Sequence, residues 1–287
     1  MKHDATISEL IAWGEQQSDV IAMILTSTRA VPNAPMDRYS DYDVIVITDD
    51  INTRFADRSW LAAFGNVVID WWDPLETDPE SGLPTTGNVV YYPGTRKIDF
   101  TLWPPEMSLQ VEQHFPTELD AGYQVLLDKT GLTANWPAPS GQGYAISLPD
   151  CARYREAVND FFIGVPYVVT ALLRGEILPA KWVLDYDMRY EYLLPMLEWY
   201  AEILHGPQVR IGNLGKGLQK LLPGAMWILL EQTYAGMDLA ANRIALQNMI
   251  DLFRDVATKV GDAIGCEYPA DLHQRVMAHV ATLEIEP

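Results

Sequence analysis

The sequence has few of the features that mark a secreted or membrane-spanning protein. Its 287 residues include two cysteines, Cys151 and Cys266, whose wide separation predicts neither a structural disulfide nor a zinc site. No apolar run approaches the ~20 residues that a membrane-spanning helix needs. The first residues also lack the apolar stretch of a signal peptide. These absences predict a soluble, cytoplasmic protein.

Basic side chains are also scarce. The sequence has 20 Lys and Arg residues and 39 Asp and Glu residues, which gives a net charge of −19. Such a charge opposes binding to nucleic acid or to an anionic membrane, because both attract Lys and Arg. It favours encounter with a polycationic small ligand, although an acidic surface that only maintains solubility has the same composition. The charge thus excludes nucleic acid more firmly than it identifies a partner.

What the chain does contain is enough apolar sequence for two folded domains, since 48% of its residues are hydrophobic. Strand patterns fill the first half, and long helical patterns follow a segment rich in proline and glycine at 133–150. We therefore predict an α+β protein, with a sheet domain over 1–135 and an all-α helical domain over 136–287.

The central stretch of the first domain is Ser40–Thr48. Four apolar residues after Asp43 predict a strand buried on both faces. Side chains alternate along a strand, so Asp41 and Asp43 point to the same side, ~6–7 Å apart. Two such carboxylates repel each other unless a cation lies between them, and Mg²⁺ prefers oxygen ligands. The alternative is that both are solvated residues of a turn.

A third carboxylate follows a hairpin signal. The segments 88–92 and 97–103 flank Pro93-Gly94-Thr95-Arg96, a turn sequence. In the second segment Ile98, Phe100 and Leu102 share one strand face, which leaves Asp99 on the other. A carboxylate in an apolar strand is costly to bury without a partner. If this strand neighbours the Asp41 strand, Asp99 completes an acidic cluster; otherwise it lies on the open face of a one-sided sheet.

The remaining patterns predict further elements on both sides of the boundary. Thr6 and Glu9 have the spacing of a capping box at the start of the first helix. A polar connection follows Thr26, and 73–87 is predicted to be a loop. Helices are predicted at 6–17, 54–64, 105–114, 150–174, 179–204, 223–234, 238–264 and 269–283, and strands at 20–25, 67–72 and 123–127.

Short motifs along nearly the whole chain resemble the aminoglycoside 6-adenylyltransferases (streptomycin adenylyltransferases) of the nucleotidyltransferase superfamily. Each motif alone is weak, but their order and spacing together are specific. They include Arg29-x-x-Pro32-Asn33, Asp41-Tyr42-Asp43, Ile98-Asp99-Phe100-Thr101-Leu102, Leu127-Asp128-Lys129-x-Gly131-Leu132, Met196-Leu197-Glu198-Trp199-Tyr200 and Gly212-x-x-Gly215-Lys216-x-Leu218-x-Lys220-x-Leu222-Pro223.

The resemblance implies a fold and an activity. The first domain would be a nucleotidyltransferase domain with a mixed β-sheet, in which Asp41, Asp43 and Asp99 bind two Mg²⁺ ions. Family members transfer AMP from ATP to an aminoglycoside hydroxyl, and the expected acceptor is the 6-position of streptomycin, with inactivation of the antibiotic. The alternatives are a nucleotidyltransferase for a lincosamide or a metabolite, and a nucleotide-binding homologue without transferase activity.

By the same resemblance, Ser27, Thr28 and Arg29 would lie near the phosphates. The superfamily usually has Gly-Ser where this chain has Ser27-Thr28. A hydroxyl is kept in Thr28, whereas the Cβ of Ser27 could crowd the triphosphate. Lys216 and Lys220 would add phosphate contacts, with a solvated surface as the competing interpretation.

The acceptor side is expected in the helical domain. Asp185 and Asp187 are the candidates for the general base that takes the hydroxyl proton. Helical spacing can place Asp187 and Glu191 on one face, where with Tyr190 they would bind ammonium or guanidinium groups. The alternative is an exposed acidic stripe that pairs with Arg189. The sequence is compatible with a monomer or a homodimer.

Overall fold

A computed structural model describes residues 4–31, 34, 36–143, 145–207 and 209–283. The chain divides into two compact units, Met1–Tyr144 and Ala145–Pro287. The first unit contains a sheet with flanking helices and the second is helical, which confirms the predicted α+β class. The predicted boundary after residue 135 lies in the loop that follows the last strand of the first unit. Pro32 and Asn33 of the first motif lie outside the described residues.

Among the described residues, seven strands form a mixed sheet in the first unit. Their order is β3-β5-β6-β2-β1-β7, with β4 beside β5. β2 and β6 run parallel, and their other neighbours are antiparallel. The two parallel strands therefore begin at the same edge of the sheet. The strands are β1 (Val20–Thr26), β2 (Tyr42–Thr48), β3 (Ile69–Trp72), β4 (Glu76–Thr77), β5 (Pro84–Tyr91), β6 (Lys97–Trp103) and β7 (Gln124–Asp128).

Strand β2 is buried on both faces, as its sequence predicts. Val44 and Val46 belong to the apolar cluster on one face of the sheet, and Ile45 and Ile47 belong to the cluster on the other. Burial of this kind stabilises by roughly 25 cal/mol per Å² of apolar area. The polar start of β2 is therefore held by a rigid interior strand.

The helices of the first unit depart from the predictions in several places. α1 begins at Ala5, and its N-cap is Asp4, whose carboxylate accepts a hydrogen bond from the Thr6 amide at 3.0 Å. The prediction of a capping box that begins at Thr6 is therefore wrong. The predicted helix over 54–64 is two separate elements, because the backbone is extended at Asp57 and interrupts the helix. The first unit contains α1 (Ala5–Gln16), α2 (Ser27–Ala30), α3 (Ile51–Ala56), the 3₁₀ stretch Arg58–Phe64, α4 (Pro105–Gln113) and α5 (Thr117–Ala121).

Two segments predicted to lack regular structure are partly ordered into elements. The polar connection after Thr26 begins with the short helix α2. The predicted loop over 73–87 contains β4 and the first half of β5, in which Thr86 pairs with Leu102. Polar residues form this strand because the neighbouring β6 satisfies their backbone groups.

The second unit is built from long helices around one apolar core. The helices predicted over 150–174, 238–264 and 269–283 agree with the structure to within a few residues. In the same unit, Leu214 has a left-handed backbone (φ 54°) and an exposed side chain. The helices are α6 (Cys151–Leu173), α7 (Ile177–Lys181), α8 (Leu194–His205), α9 (Leu218–Leu221), α10 (Gly224–Glu231), α11 (Leu239–Ile264) and α12 (Ala270–Leu283).

The predicted α-helix over 179–204 is wrong in its middle. Trp182–Leu193 is a π-helix between α7 and α8, and the Leu194 amide bonds to the Arg189 carbonyl, five residues earlier. The wider turn adds backbone length without ending the helix, and π turns frequently occur at functional sites. The sequence has no local signal for this change of hydrogen bonding, since its apolar spacing fits either helix.

The prediction that the two cysteines are unpaired is also wrong. Cys151 and Cys266 form a disulfide with a Cα–Cα distance of 5.7 Å, within the usual range. Cys151 begins α6 and Cys266 follows the end of α11, so two packed helices bring them together. Sequence reasoning missed the pair because 115 residues separate them.

Among the described residues, one helix has the length and composition that could cross a membrane. This helix is α6, and half of its most apolar window is buried inside the fold. Tyr154, Phe161 and Val165 on α6 are fully buried in the core of the second unit. Core packing accounts for its apolar character, so α6 does not indicate a membrane protein.

Candidate active site

Three carboxylates meet at the edge of the sheet where β2 and β6 begin. Asp41 immediately precedes β2, and Asp43 on β2 lies directly beside Asp99 on β6. One carboxylate oxygen from each residue lies within 4.8 Å of the other two. The parallel pairing produces this arrangement, because it brings the first residues of two distant segments to one edge. Asp99 therefore faces the other two carboxylates and not an open sheet face.

A lysine that sequence reasoning missed lies among them. The Lys97 Nζ atom is 2.7 Å from Asp41 Oδ2 and 2.6 Å from Asp99 Oδ2. Burial disfavours the charge of Lys97, but hydrogen bonds to the two carboxylates outweigh burial and raise its pKa. Side chains alternate along β6, so residues 97 and 99 share a face. This alternation was the sequence pattern that could have placed Lys97 beside Asp99.

The positive charge of Lys97 does not balance the negative charge of the three carboxylates. Burial, followed by the charges of Asp41 and Asp99, raises the pKa of Asp43 to about 6. Burial also raises the pKa of Asp99, despite its bond to Lys97. Among the described residues, nothing donates a hydrogen bond to the buried Oδ1 atom of Asp99. Repelling carboxylates and an unsatisfied buried oxygen are the donor set that suits a hard divalent cation.

The contribution of Asp43 to the stability of the metal-free protein should be lost as the pH rises from about 4 to about 7. The pKa of Asp43 is about 6 in the folded protein against 3.8 for a free side chain. The folded state thus holds this proton more tightly, and its stabilising effect is lost as the pH rises through about 6. The full shift corresponds to about 3 kcal/mol. Urea denaturation in EDTA should show Asp43→Asn gaining up to this amount over wild type at pH 8 and little at pH 4.

A matched control is Asp49→Asn, an exposed position beyond the other end of β2. At pH 8 this variant should show no gain in stability comparable to that of Asp43→Asn. A gain for Asp43→Asn that is the same at pH 4 and pH 8 would contradict the charge repulsion inferred for the cluster.

Ser27 lies beside the carboxylates at the start of α2. Its side chain forms a hydrogen bond with Asp43, which partly offsets the raised pKa of that residue. Its backbone is left-handed, with φ 58°, a conformation that costs roughly 1 kcal/mol in residues other than glycine. The position where the resemblance predicts glycine thus has a backbone conformation suited to glycine. Thr28 follows it on α2 and is half-buried.

The side chain of Arg29 forms hydrogen bonds with the backbone that leads into β2. Its Nε atom donates to the Asp41 carbonyl at 2.8 Å and its Nη2 atom to the Ser40 carbonyl at 2.7 Å. The guanidinium also stacks 3.7 Å from the centre of the Tyr42 ring and pairs with Asp4. These contacts hold the backbone at Asp41, the residue that precedes β2.

In the helical unit, the acidic residues of the π-helix divide into two sets. Asp185 is paired with Lys181 at 2.5 Å and with Arg189 at 2.6 Å. Burial and then the charges of Glu191 and Asp160 raise the pKa of Asp187. Arg189 therefore neutralises Asp185, while Asp187 and Glu191 repel each other.

The remaining candidates also lie in the helical unit. Tyr190 lines a mainly apolar pocket of about 90 Å³ together with Trp227 and Tyr234. Lys216 and Lys220 are exposed on the segment that follows Gly212. The structure thus places Tyr190 at a small concave surface and the two lysines on an open one.

Comparison with known proteins adds sequence evidence over almost the whole chain. The model of the streptomycin adenylyltransferase family matches residues 1–283. The chain is 27% identical over 248 residues to aminoglycoside 6-adenylyltransferase of Campylobacter jejuni, covering 85% of this chain and 83% of the relative. It is 27% identical over 250 residues to the Bacillus subtilis enzyme of the same name, covering 85% of each. A crystal structure of an aminoglycoside 6-adenyltransferase from Bacillus subtilis aligns over 99% of this chain and 100% of that one, with 20% identity and a TM-score of 0.49.

Proposed function

Since the chain belongs to the streptomycin adenylyltransferase family, we propose that it transfers AMP from ATP to a hydroxyl group of an aminoglycoside. The acceptor oxygen would form a bond to the α-phosphorus of ATP, the bond to the bridging oxygen would break, and pyrophosphate would leave. The observation that carries this proposal is the meeting of Asp41, Asp43 and Asp99 at one edge of the sheet. The proposed acceptor is the 6-position of streptomycin, with inactivation of the antibiotic as the result.

On the donor side, Asp41, Asp43 and Asp99 would hold Mg²⁺, with two ions expected from the superfamily. When bound, Mg²⁺ neutralises the triphosphate and lowers the pKa of the acceptor hydroxyl. Ser27 and Thr28 would lie near the phosphates. Lys216 and Lys220 of the helical unit are proposed as further phosphate-binding residues because of their positive charge.

On the acceptor side, Asp187 and Glu191 would bind the cationic groups of the aminoglycoside, with Tyr190 beside them. Two carboxylates that repel each other gain most from a ligand with ammonium or guanidinium groups. The net charge of −19 would raise the rate of encounter with such a ligand. Of the two candidate bases, we favour Asp187 over Asp185, because the raised pKa of Asp187 suits a proton acceptor and Asp185 is ion-paired.

The proposal is tested by incubating the protein with ATP, Mg²⁺ and a panel of aminoglycosides and lincosamides, followed by mass spectrometry. We expect streptomycin to gain one AMP group, with pyrophosphate released in equal amount. EDTA should abolish the product. An AMP adduct on another acceptor alone would move the proposal to that substrate class.

A second candidate function is nucleotide binding without transfer. The Cβ of Ser27, at a position where the superfamily has glycine, is the observation that favours it. Calorimetry that shows ATP binding, combined with no adduct on any acceptor, would support this function over transfer.

A further inference from the structure

The carboxylate cluster contains a cation supplied by the protein itself. The Lys97 ammonium group lies between Asp41 and Asp99 and contacts one oxygen of each. The three side chains are 22–33% exposed, so solvent screens these pairs less than it screens pairs on an open surface. Lys97 thus neutralises part of the charge on two of the three candidate metal ligands.

The position of Lys97 conflicts with that of a divalent ion. Mg²⁺ binds carboxylate oxygens at about 2.0–2.1 Å and needs them in its coordination shell. The Oδ2 atoms of Asp41 and Asp99 are already held by Lys97. An ammonium group that stayed there would repel the ion across a few Å in a partly buried site. The two cations therefore compete for the same negative charge.

We propose that Lys97 is the resident cation of the metal-free site and that a divalent ion displaces its ammonium group from Asp41 and Asp99. This inference rests on the metal site of the proposed function. Lys97 would keep Asp41 and Asp99 together before the ion arrives. Its displacement would release a positive charge near the place where an anionic triphosphate is expected to bind, so nucleotide and metal should tighten each other's binding.

The test is the affinity for Mn²⁺, measured by electron paramagnetic resonance at pH 8 without nucleotide. We expect Lys97→Met to bind Mn²⁺ about tenfold more tightly than wild type, or better, because charge-assisted hydrogen bonds no longer have to be broken. Lys97→Arg, which keeps the charge, should bind no more tightly than wild type. Lys129→Met is the matched control, since Lys129 bonds to the Gln17 carbonyl near the opposite end of β1. Its affinity should equal that of wild type.

The possible failures are distinguishable. Equal or weaker Mn²⁺ affinity in Lys97→Met would overturn the role of Lys97 and leave the metal site intact. If neither wild type nor Lys97→Met binds Mn²⁺, the metal site and the proposed function both fail. Asp99→Asn should lose binding, which identifies the titrated site as this cluster. Circular dichroism checks that each variant folds, and Lys97→Gln repeats the comparison if the methionine variant does not fold.

Discussion

Replacing Asp99 with Asn should lower the rate of AMP transfer by at least about 1,000-fold. Asp99 supplies the one carboxylate of the cluster that comes from β6, and its buried Oδ1 atom is unpartnered among the described residues. An amide has half the acceptor capacity of a carboxylate and no charge, so it binds a divalent ion poorly. Removal of a group that stabilises developing charge in a shielded site typically costs 10²–10³-fold, and loss of the ion costs more.

The same variant should remain folded. Asp99→Asn gives up the ion pair with Lys97, but it also removes a charge that raises the pKa of Asp43. These effects oppose each other, so the free energy of unfolding should change by about 1 kcal/mol or less. Pyrophosphate release measures turnover and urea denaturation measures stability. Asp41→Asn should show the same loss of turnover and the same small change in stability as Asp99→Asn. Asp49→Asn should match wild type in both turnover and stability. Turnover like that of wild type in Asp99→Asn or Asp41→Asn would refute the metal role.

The acidic cluster shows what alternation along a strand can establish. Alternation placed Asp41 and Asp43 on one side of a buried strand and set Asp99 opposite an apolar face. It could not say that β6 runs beside β2, because strand pairing depends on contacts between distant segments. Residue 97 shares the face of Asp99, yet its role as a counter-ion becomes visible only once the pairing is known.

The errors in the predicted fold also arise from contacts between distant segments of the chain. The first half of β5 has the polar composition of a loop, and its pairing with β6 makes it a strand. The Cys151–Cys266 disulfide depends on two helices that pack together from distant parts of the chain. The π-helix Trp182–Leu193 differs from an α-helix in hydrogen bonding and not in composition. In each case tertiary context decided between local structures that the sequence allows.

The second large effect is expected in the helical unit. The double variant Asp187→Asn/Glu191→Gln should raise the KM for the aminoglycoside about 100-fold and change the KM for ATP little. Asp187 and Glu191 repel each other, so a cationic ligand relieves the repulsion as well as forming new charge pairs. Each hydrogen bond to a charged group contributes about 1.5–3 kcal/mol, so two of them at the lower end of this range account for a change of about 100-fold.

The single variants separate binding from proton transfer. Glu191→Gln should raise the KM for the aminoglycoside and leave kcat nearly unchanged, whereas Asp187→Asn should also lower kcat, because we propose Asp187 as the general base. The charge-matched control is Asp251→Asn/Asp255→Asn, which removes two exposed carboxylates from α11 in the same unit. An equal rise in KM for both double variants would mean that the net charge attracts the substrate without a specific site. An unchanged KM in Asp187→Asn/Glu191→Gln would show that the acceptor binds elsewhere.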